Sequence, residues 1–90
     1  MSALMQTYAR LPVTFSHGDG VYLYDTEGRR YLDGIAGIGV NALGHAHPGV
    51  TNAIRKQADK LVHSSNLYRI AAQEQLAAAL TQVADMESCF

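Results

Sequence analysis

Residues 18–48 read GDGVYLYDTEGRRYLDGIAGIGVNALGHAHP, and this stretch decides the fold. It holds seven of the chain's eight glycines, two of its four histidines and three of its five tyrosines. Val21–Asp25 alternates: Tyr22 and Tyr24 fall on one face of an extended strand, Val21 and Leu23 on the other. Asp25-Thr26-Glu27-Gly28 has the composition of a type I turn closed by a bulge. Its first carboxylate can accept backbone N–H groups, and Gly28 can take the left-handed conformation. Arg30–Asp33 then returns as the second strand of a β-hairpin, with Tyr22, Tyr24 and Tyr31 as cross-strand packing pairs.

Past the hairpin, Gly34, Gly37, Gly39 and Gly44 make the segment 34–44 a poor helix and a poor strand. It reads as backbone packed closely past another segment. Pro48 stands where a first helical residue belongs, since its missing N–H would be unpaired there in any case. Apolar residues then recur at Val50, Ala53, Ile54, Ala58, Leu61 and Val62, a period of 3.6 with Arg55, Lys56 and Asp59 opposite. His63-Ser64-Ser65-Asn66 breaks the pattern. A second helix is predicted from about Ala71 to Ala84, with Ala72, Leu76, Ala79, Leu80 and Val83 on one stripe. Ser88-Cys89-Phe90 has the look of a strand just beginning, so the pattern reads as interrupted there.

Upstream, residues 2–10 suit a short helix or an extended arm. Pro12 keeps Leu11 out of the α region. Val13-Thr14-Phe15 reads as a short strand, and Ser16-His17-Gly18-Asp19-Gly20 as a turn. The domain expectation is an arm and hairpin over 1–47 and a pair of helices over 48–90.

Ninety residues suffice for one small domain, but thirteen alanines and no tryptophan leave large apolar side chains thinly spread. The net charge is −1 with both signs interspersed, which gives neither a nucleic-acid stripe nor a polybasic membrane patch. No apolar run is long enough for a transmembrane helix, and the first ten residues lack the layout of a secretory signal. The single Cys89 rules out an internal disulfide framework, fits a reducing cytoplasm and is expected to be an ordinary buried thiol.

Several local patterns tempt a functional reading and fail on chemistry. Gly37-Ile38-Gly39-Val40-Asn41-Ala42 matches a loose dinucleotide-binding pattern, but Leu43-Gly44-His45 and Pro48 intervene before any helix whose N-terminus could meet a pyrophosphate. His45 and His47, with His17 and His63 elsewhere, do not reach the three or four ligands a zinc ion needs, so no metal site is expected. They read as loop histidines bonded to backbone near a helix start. Lys56 lies opposite the apolar stripe and Lys60 at its margin, on a solvated face unlike that of a Schiff-base lysine. Asp25, Glu27 and Asp33 read as turn and strand-end residues. Tyr8 differs, because an aromatic in an irregular arm must find its own surface to cover.

The motifs of this block together resemble the N-terminal segment of the class III, pyridoxal-phosphate-dependent aminotransferases. The matching residues are Gly18-x-Gly20, Leu23-x-Asp25-x-x-Gly28, Tyr31-Leu32-Asp33, Gly37-Ile38-x-Val40 and Leu43-Gly44-His45-x-His47-Pro48. Val50-x-x-Ala53-Ile54, Gln57, Lys60-Leu61 and His63-x-Ser65-Asn66-Leu67-Tyr68 continue the match in order. Within the class the pattern is most similar to the acetylornithine branch of arginine biosynthesis. The succinyldiaminopimelate, ornithine and 4-aminobutyrate branches are alternatives, as is a free-standing binding or dimerisation module.

The resemblance implies an α/β fold, the N-terminal part of a fold-type-I transferase, with the hairpin in the small domain and the helices opening the large one. It implies pyridoxal 5′-phosphate in the full-length enzyme, an amine and 2-oxoglutarate as substrates, a cytoplasmic homodimer, and no nucleic-acid or membrane partner. Tyr8 and Ile38 match substrate-pocket positions. Ser65 and Asn66 match a segment near the dimer interface and the active-site mouth. The phosphate loop, the carboxylate-binding arginine, the ring-nitrogen aspartate and the Schiff-base lysine of the family have no match in these 90 residues. No catalytic or cofactor-binding residue is therefore assigned, and this chain alone is expected to bind no cofactor and to be inactive.

Overall fold

The computed structural model describes residues 2–90. An antiparallel three-stranded sheet in the order β1-β2-β3 comes first: β1 is Phe15–Asp19, β2 is Tyr22–Asp25 and β3 is Arg30–Leu32. A single turn, α1 (Ala36–Gly39), follows, and then two right-handed helices, α2 (Pro48–Ala58) and α3 (Ala71–Ala84). The chain divides into two compact units, one up to Ile54 and one from Arg55 onward.

The β2–β3 hairpin follows its sequence signals. Gly28 N–H donates to the Asp25 carbonyl at 3.0 Å, and Gly28 takes φ +82°, the bulge conformation its lack of a Cβ allows. Asp25 is the only described residue that is buried, at 3 % exposure. Its Oδ1 accepts the Glu27 and Arg29 N–H groups at 2.9 and 2.8 Å. Its Oδ2 accepts Arg29 Nε–H at 2.7 Å and the Tyr31 hydroxyl at 3.1 Å. Burial pushes this carboxyl up. The Arg29 guanidinium, the two backbone donors and the Tyr31 hydroxyl outweigh that and bring it down to about 2.

The first strand departs from expectation. Val13 and Thr14 precede β1, although the Thr14 carbonyl still accepts Thr26 N–H at 3.0 Å. Residues 16–19, expected as a turn, are strand, and the turn is displaced to Gly20-Val21 between the paired Asp19 and Tyr22. The reason is a bulge between Phe15 and His17. There Ser16 Oγ lies 3.2 and 3.3 Å from the Tyr24 and Asp25 carbonyls, in place of the ladder bond the bulge removes.

That bulge also redistributes the aromatics. Phe15 meets Tyr31 edge-on at 5.5 Å, while His17, two residues later, stacks flat on Tyr24 at 4.6 Å. The three tyrosines therefore do not pair with one another as expected. Tyr31 opposes Leu23 in the ladder and shares its face, and Tyr22 carries the Arg30 guanidinium 4.5 Å above its ring.

Residues 2–10 form an arm without regular structure. Helix α2 starts at Pro48 as predicted and stops at Ala58, short of the apolar positions Leu61 and Val62. Lys60 and Leu61 N–H both donate to the Gln57 carbonyl, and the Gln57 side chain reaches the Leu61 carbonyl at 2.9 Å, so the last turn tightens and ends. Helix α3 matches its predicted span, and Asp85 at φ +53° supplies the left-handed stop that glycine usually provides. Ser88–Phe90 forms no strand, and Cys89 is exposed rather than buried. No described apolar residue is buried: Ile54 on α2 and Leu76 on α3 are 62 % and 60 % exposed.

Two measurements test the hairpin. Gly28→Ala forces a side chain into a left-handed turn and is expected to cost about 1 kcal/mol in urea denaturation. Gly34→Ala, at ordinary φ with nothing within 4 Å of a new Cβ, is expected to be neutral or slightly stabilising; equal losses at both sites would refute this. Because the folded Asp25 carboxyl lies below its unfolded value, its contribution to stability is complete above about pH 4 and disappears as pH falls toward 2. A carboxyl-carbon NMR titration should place Asp25 near the lower end of that window, and a midpoint near 4 would contradict the geometry.

Candidate functional site

The loop that leaves the sheet is the demanding part of the structure. Ala36, Gly37, Ile38 and Gly39 have φ values of +53°, +62°, +59° and +78°, four consecutive residues of left-handed sign. The Gly39 N–H reaches the Ile35 carbonyl at 3.3 Å, and Val40 and Asn41 N–H both reach the Ala36 carbonyl. Thus α1 is one left-handed turn. The two glycines tolerate this, whereas Ala36 and Ile38 are each disfavoured by roughly 1–2 kcal/mol. A β-branched residue at positive φ is an outlier that surrounding structure has to enforce.

Asp33, just beyond β3, lies against the entrance to this turn. Its Oδ1 accepts the N–H groups of Ile35 and Ala36 at 3.0 and 2.9 Å, at the entrance to the turn. Its Oδ2 accepts His45 Nε2–H at 2.6 Å, and the two side chains are 7 % and 17 % exposed. The Ala36 N–H and the His45 ring hold this carboxyl below the usual carboxylate range against the opposing effect of desolvation. His45 is fixed in turn by its backbone. Gly20 N–H donates to the His45 carbonyl at 3.0 Å, and His45 N–H donates to the Gly20 carbonyl at 2.8 Å. Its ring side packs where Gly18 has no side chain: a Cβ there would lie 2.6 Å from His45 Cβ and Cγ.

His47 has the backbone role expected of it, accepting Gly49 N–H on Nδ1 at 3.1 Å at the start of α2. His45 instead pairs with a carboxylate. Sequence reasoning missed the Asp33–His45 pair because its partners lie twelve positions apart across an irregular loop. The only signal available was the glycine at position 18, which leaves room for a ring.

Ile38 stands at the tip of the left-handed turn with 90 % of its surface exposed. Tyr8 lies in the arm, its ring 5.5 Å from the Arg10 guanidinium, and shares no hydrogen bond with Ile38. Ser65 and Asn66 belong to the second unit. Ser65 takes φ +73° and accepts Leu67 N–H on its hydroxyl at 3.3 Å, and Asn66 Oδ1 accepts from Gln73 Nε2 at 3.4 Å.

Among the open pockets formed by the described residues, three lie along these elements. One of about 200 Å³ lies between the sheet end and the loop, lined by Val21, Asp33, Ala36 and His45 among others. One of about 400 Å³ lies beside the start of α2, lined by Val40, Leu43, His47 and Val50. Another of about 400 Å³ lies along α3 against Cys89 and Phe90. No lysine or arginine lines any of the three, and Lys56 and Lys60 are exposed. These residues do not by themselves fit a phosphorylated aldehyde cofactor, which needs a buried lysine and a phosphate cradle. Among the described residues no three His, Cys, Asp or Glu side chains converge as a metal site would require, and no helix is long and apolar enough to cross a membrane.

Comparison with known proteins gives a consistent result. The profile of the aminotransferase class-III family matches residues 4–90. Acetylornithine aminotransferase 1 of Bordetella pertussis is 55 % identical over 85 residues, covering 94 % of this chain and 22 % of that protein. Among solved structures, the ornithine δ-aminotransferase of Plasmodium falciparum superposes with a TM-score of 0.89 at 31 % identity, covering 93 % of this chain and 22 % of that one. The taurine:2-oxoglutarate aminotransferase of Bifidobacterium kashiwanohense, solved with pyridoxal phosphate and glutamate, gives a TM-score of 0.84 at 30 % identity over 92 % of this chain and 19 % of its own. The chain thus spans about a fifth of the length of the relatives it matches.

The close approach at Gly18 is directly testable. Gly18→Ala is expected to displace the His45 ring and cost about 1–3 kcal/mol, the range for overpacking a filled site. Loss of the downfield His45 ring N–H resonance should accompany it, and a variant that keeps both stability and resonance would refute the packing.

Proposed function

The chain belongs to the class III aminotransferase family, and from that membership we propose that it is the N-terminal segment of an acetylornithine aminotransferase. The reaction is transfer of an amino group between N-acetylornithine and 2-oxoglutarate. The observation that carries this reading is the 55 % identity to an acetylornithine aminotransferase across 94 % of the chain. The exposed aliphatic Ile38 supports it, because an aliphatic residue at this place leaves room for an acylated side chain.

In this reading residues 1–47 belong to the small domain and 48–90 open the large one. Tyr8 and Ile38 line the substrate pocket, and Ser65 and Asn66 lie at the active-site mouth near the interface of a cytoplasmic homodimer. Pyridoxal 5′-phosphate belongs to the full-length enzyme, where it supplies an electron sink for the amino group's α-carbon. The residues described here contribute pocket wall and scaffold, and no step of the chemistry is assigned to them.

An ornithine-type enzyme is the second reading, favoured by the superposition on the ornithine δ-aminotransferase. Amine profiling of an enzyme carrying this segment separates the two. N-acetylornithine is expected to give the highest kcat/KM among N-acetylornithine, succinyldiaminopimelate, ornithine and 4-aminobutyrate. Ile38→Tyr is expected to lower the ratio for N-acetylornithine over ornithine by about 10-fold or more, the scale on which pocket-wall volume discriminates. An unchanged ratio would remove Ile38 from the pocket, and a preference for ornithine in the parent enzyme would favour the second reading.

A further inference from the structure

We propose that Asp33 and His45 are positioning residues for the substrate wall: their pair holds residues 36–39 in the left-handed turn and so sets where the Ile38 side chain stands. The inference rests on the reading that Ile38 faces the amine substrate. Its structural half stands independently of that reading.

Three observations carry it. First, the turn is intrinsically unfavourable, since Ala36 and Ile38 hold positive φ without glycine's freedom. Something outside residues 36–39 must therefore select it. Second, one carboxylate does so from both directions. Asp33 Oδ1 takes the Ile35 and Ala36 N–H groups at the turn's entrance, while Oδ2 takes His45 Nε2–H beyond its exit. Third, His45 is anchored to the sheet and not to the loop alone. Its two backbone bonds run to Gly20, and Asp33 N–H donates to the Val21 carbonyl at 2.8 Å. The entrance and exit of the loop are thereby referred to the same hairpin turn. Ile38 is 90 % exposed, so its location is set chiefly by the backbone.

Without the pair, the loop loses the charged acceptor geometry that aligns its two ends, and α1 can relax toward right-handed or extended backbone. Ile38 then moves, although neither Asp33 nor His45 touches substrate. A displacement of about 1 Å in a pocket wall is enough to alter substrate orientation measurably.

The test uses the holoenzyme carrying this segment. His45→Ala is expected to raise KM for N-acetylornithine about 10-fold, with KM for 2-oxoglutarate changed less. His45→Gln, which can still donate to Asp33, is expected to recover most of that loss. In an Ile38→Ala background His45→Ala is expected to add little, because both changes act on the same wall. Hydrogen exchange provides the independent structural readout: the Ala36, Gly39 and Asn41 amides should exchange about 10-fold faster in His45→Ala than in the parent. Asp33→Asn, which keeps a carbonyl acceptor but no charge, gives the same readouts should His45→Ala fail to accumulate.

Unchanged exchange in the variants would overturn the proposal. So would a His45→Ala effect on kcat alone, equal in both Ile38 backgrounds. Faster exchange with unaltered amine KM, and an Ile38→Ala variant that is also unaltered, would instead remove Ile38 from the substrate wall while leaving the structural role of the pair in place.

Discussion

One carboxylate ties the irregular segment of this structure to its regular sheet. Asp33 accepts three hydrogen bonds, two from the backbone entering a left-handed turn and one from a histidine beyond its exit. Charge-assisted bonds of this kind are stronger than neutral ones and geometrically selective. Without them, only the turn's own backbone bonds to the Ile35, Ala36 and Asn41 carbonyls remain to hold residues 34–44. The glycines there permit left-handed φ without requiring it, and Ala36 and Ile38 oppose it.

A second carboxylate has a parallel role in the preceding hairpin. Asp25 closes the β2–β3 turn by gathering two backbone N–H groups, a guanidinium and a phenol. It is the only described residue that is buried, and no described apolar residue joins it. The local order of the first unit therefore comes from saturated polar hubs and backbone ladders. The apolar stripes of α2 and α3 are in place but face solvent, with Val50 at 43 % and Leu80 at 47 % exposure. Hydrophobic burial usually drives folding, and here its surfaces are present without their cover. This fits a segment spanning about a fifth of its relatives' length.

Much of the fold was legible in the sequence wherever the governing interactions are local. Asp25-Thr26-Glu27-Gly28 makes the turn its composition requires, because donor, acceptor and positive φ all lie within four residues. Pro48 opens α2, and the alanine-rich 71–84 stretch forms α3 at its predicted bounds, since helix bonds reach only four residues back. Elsewhere a distant partner decides. Ser16-His17-Gly18-Asp19 looks like a turn by composition, yet it pairs with β2 because the Ser16 hydroxyl accommodates a bulge against carbonyls eight and nine residues away. The same bulge sends Phe15 to Tyr31 and His17 to Tyr24, a split that period-two counting cannot produce.

The candidate site divides along the same line. Family membership was legible in the order of glycines, histidines and Pro48 along the chain, because the resemblance rests on those residues. The Asp33–His45 pair, the left-handed hand of residues 36–39 and the seat of the His45 ring over Gly18 were decided only by the tertiary structure. Each depends on atoms brought together from separate segments, and a hydrogen bond of 2.6 Å across twelve residues leaves no periodic trace in the sequence. Residue types along the chain permit several turns; the meeting of Asp33, His45 and Gly20 in space holds one of them.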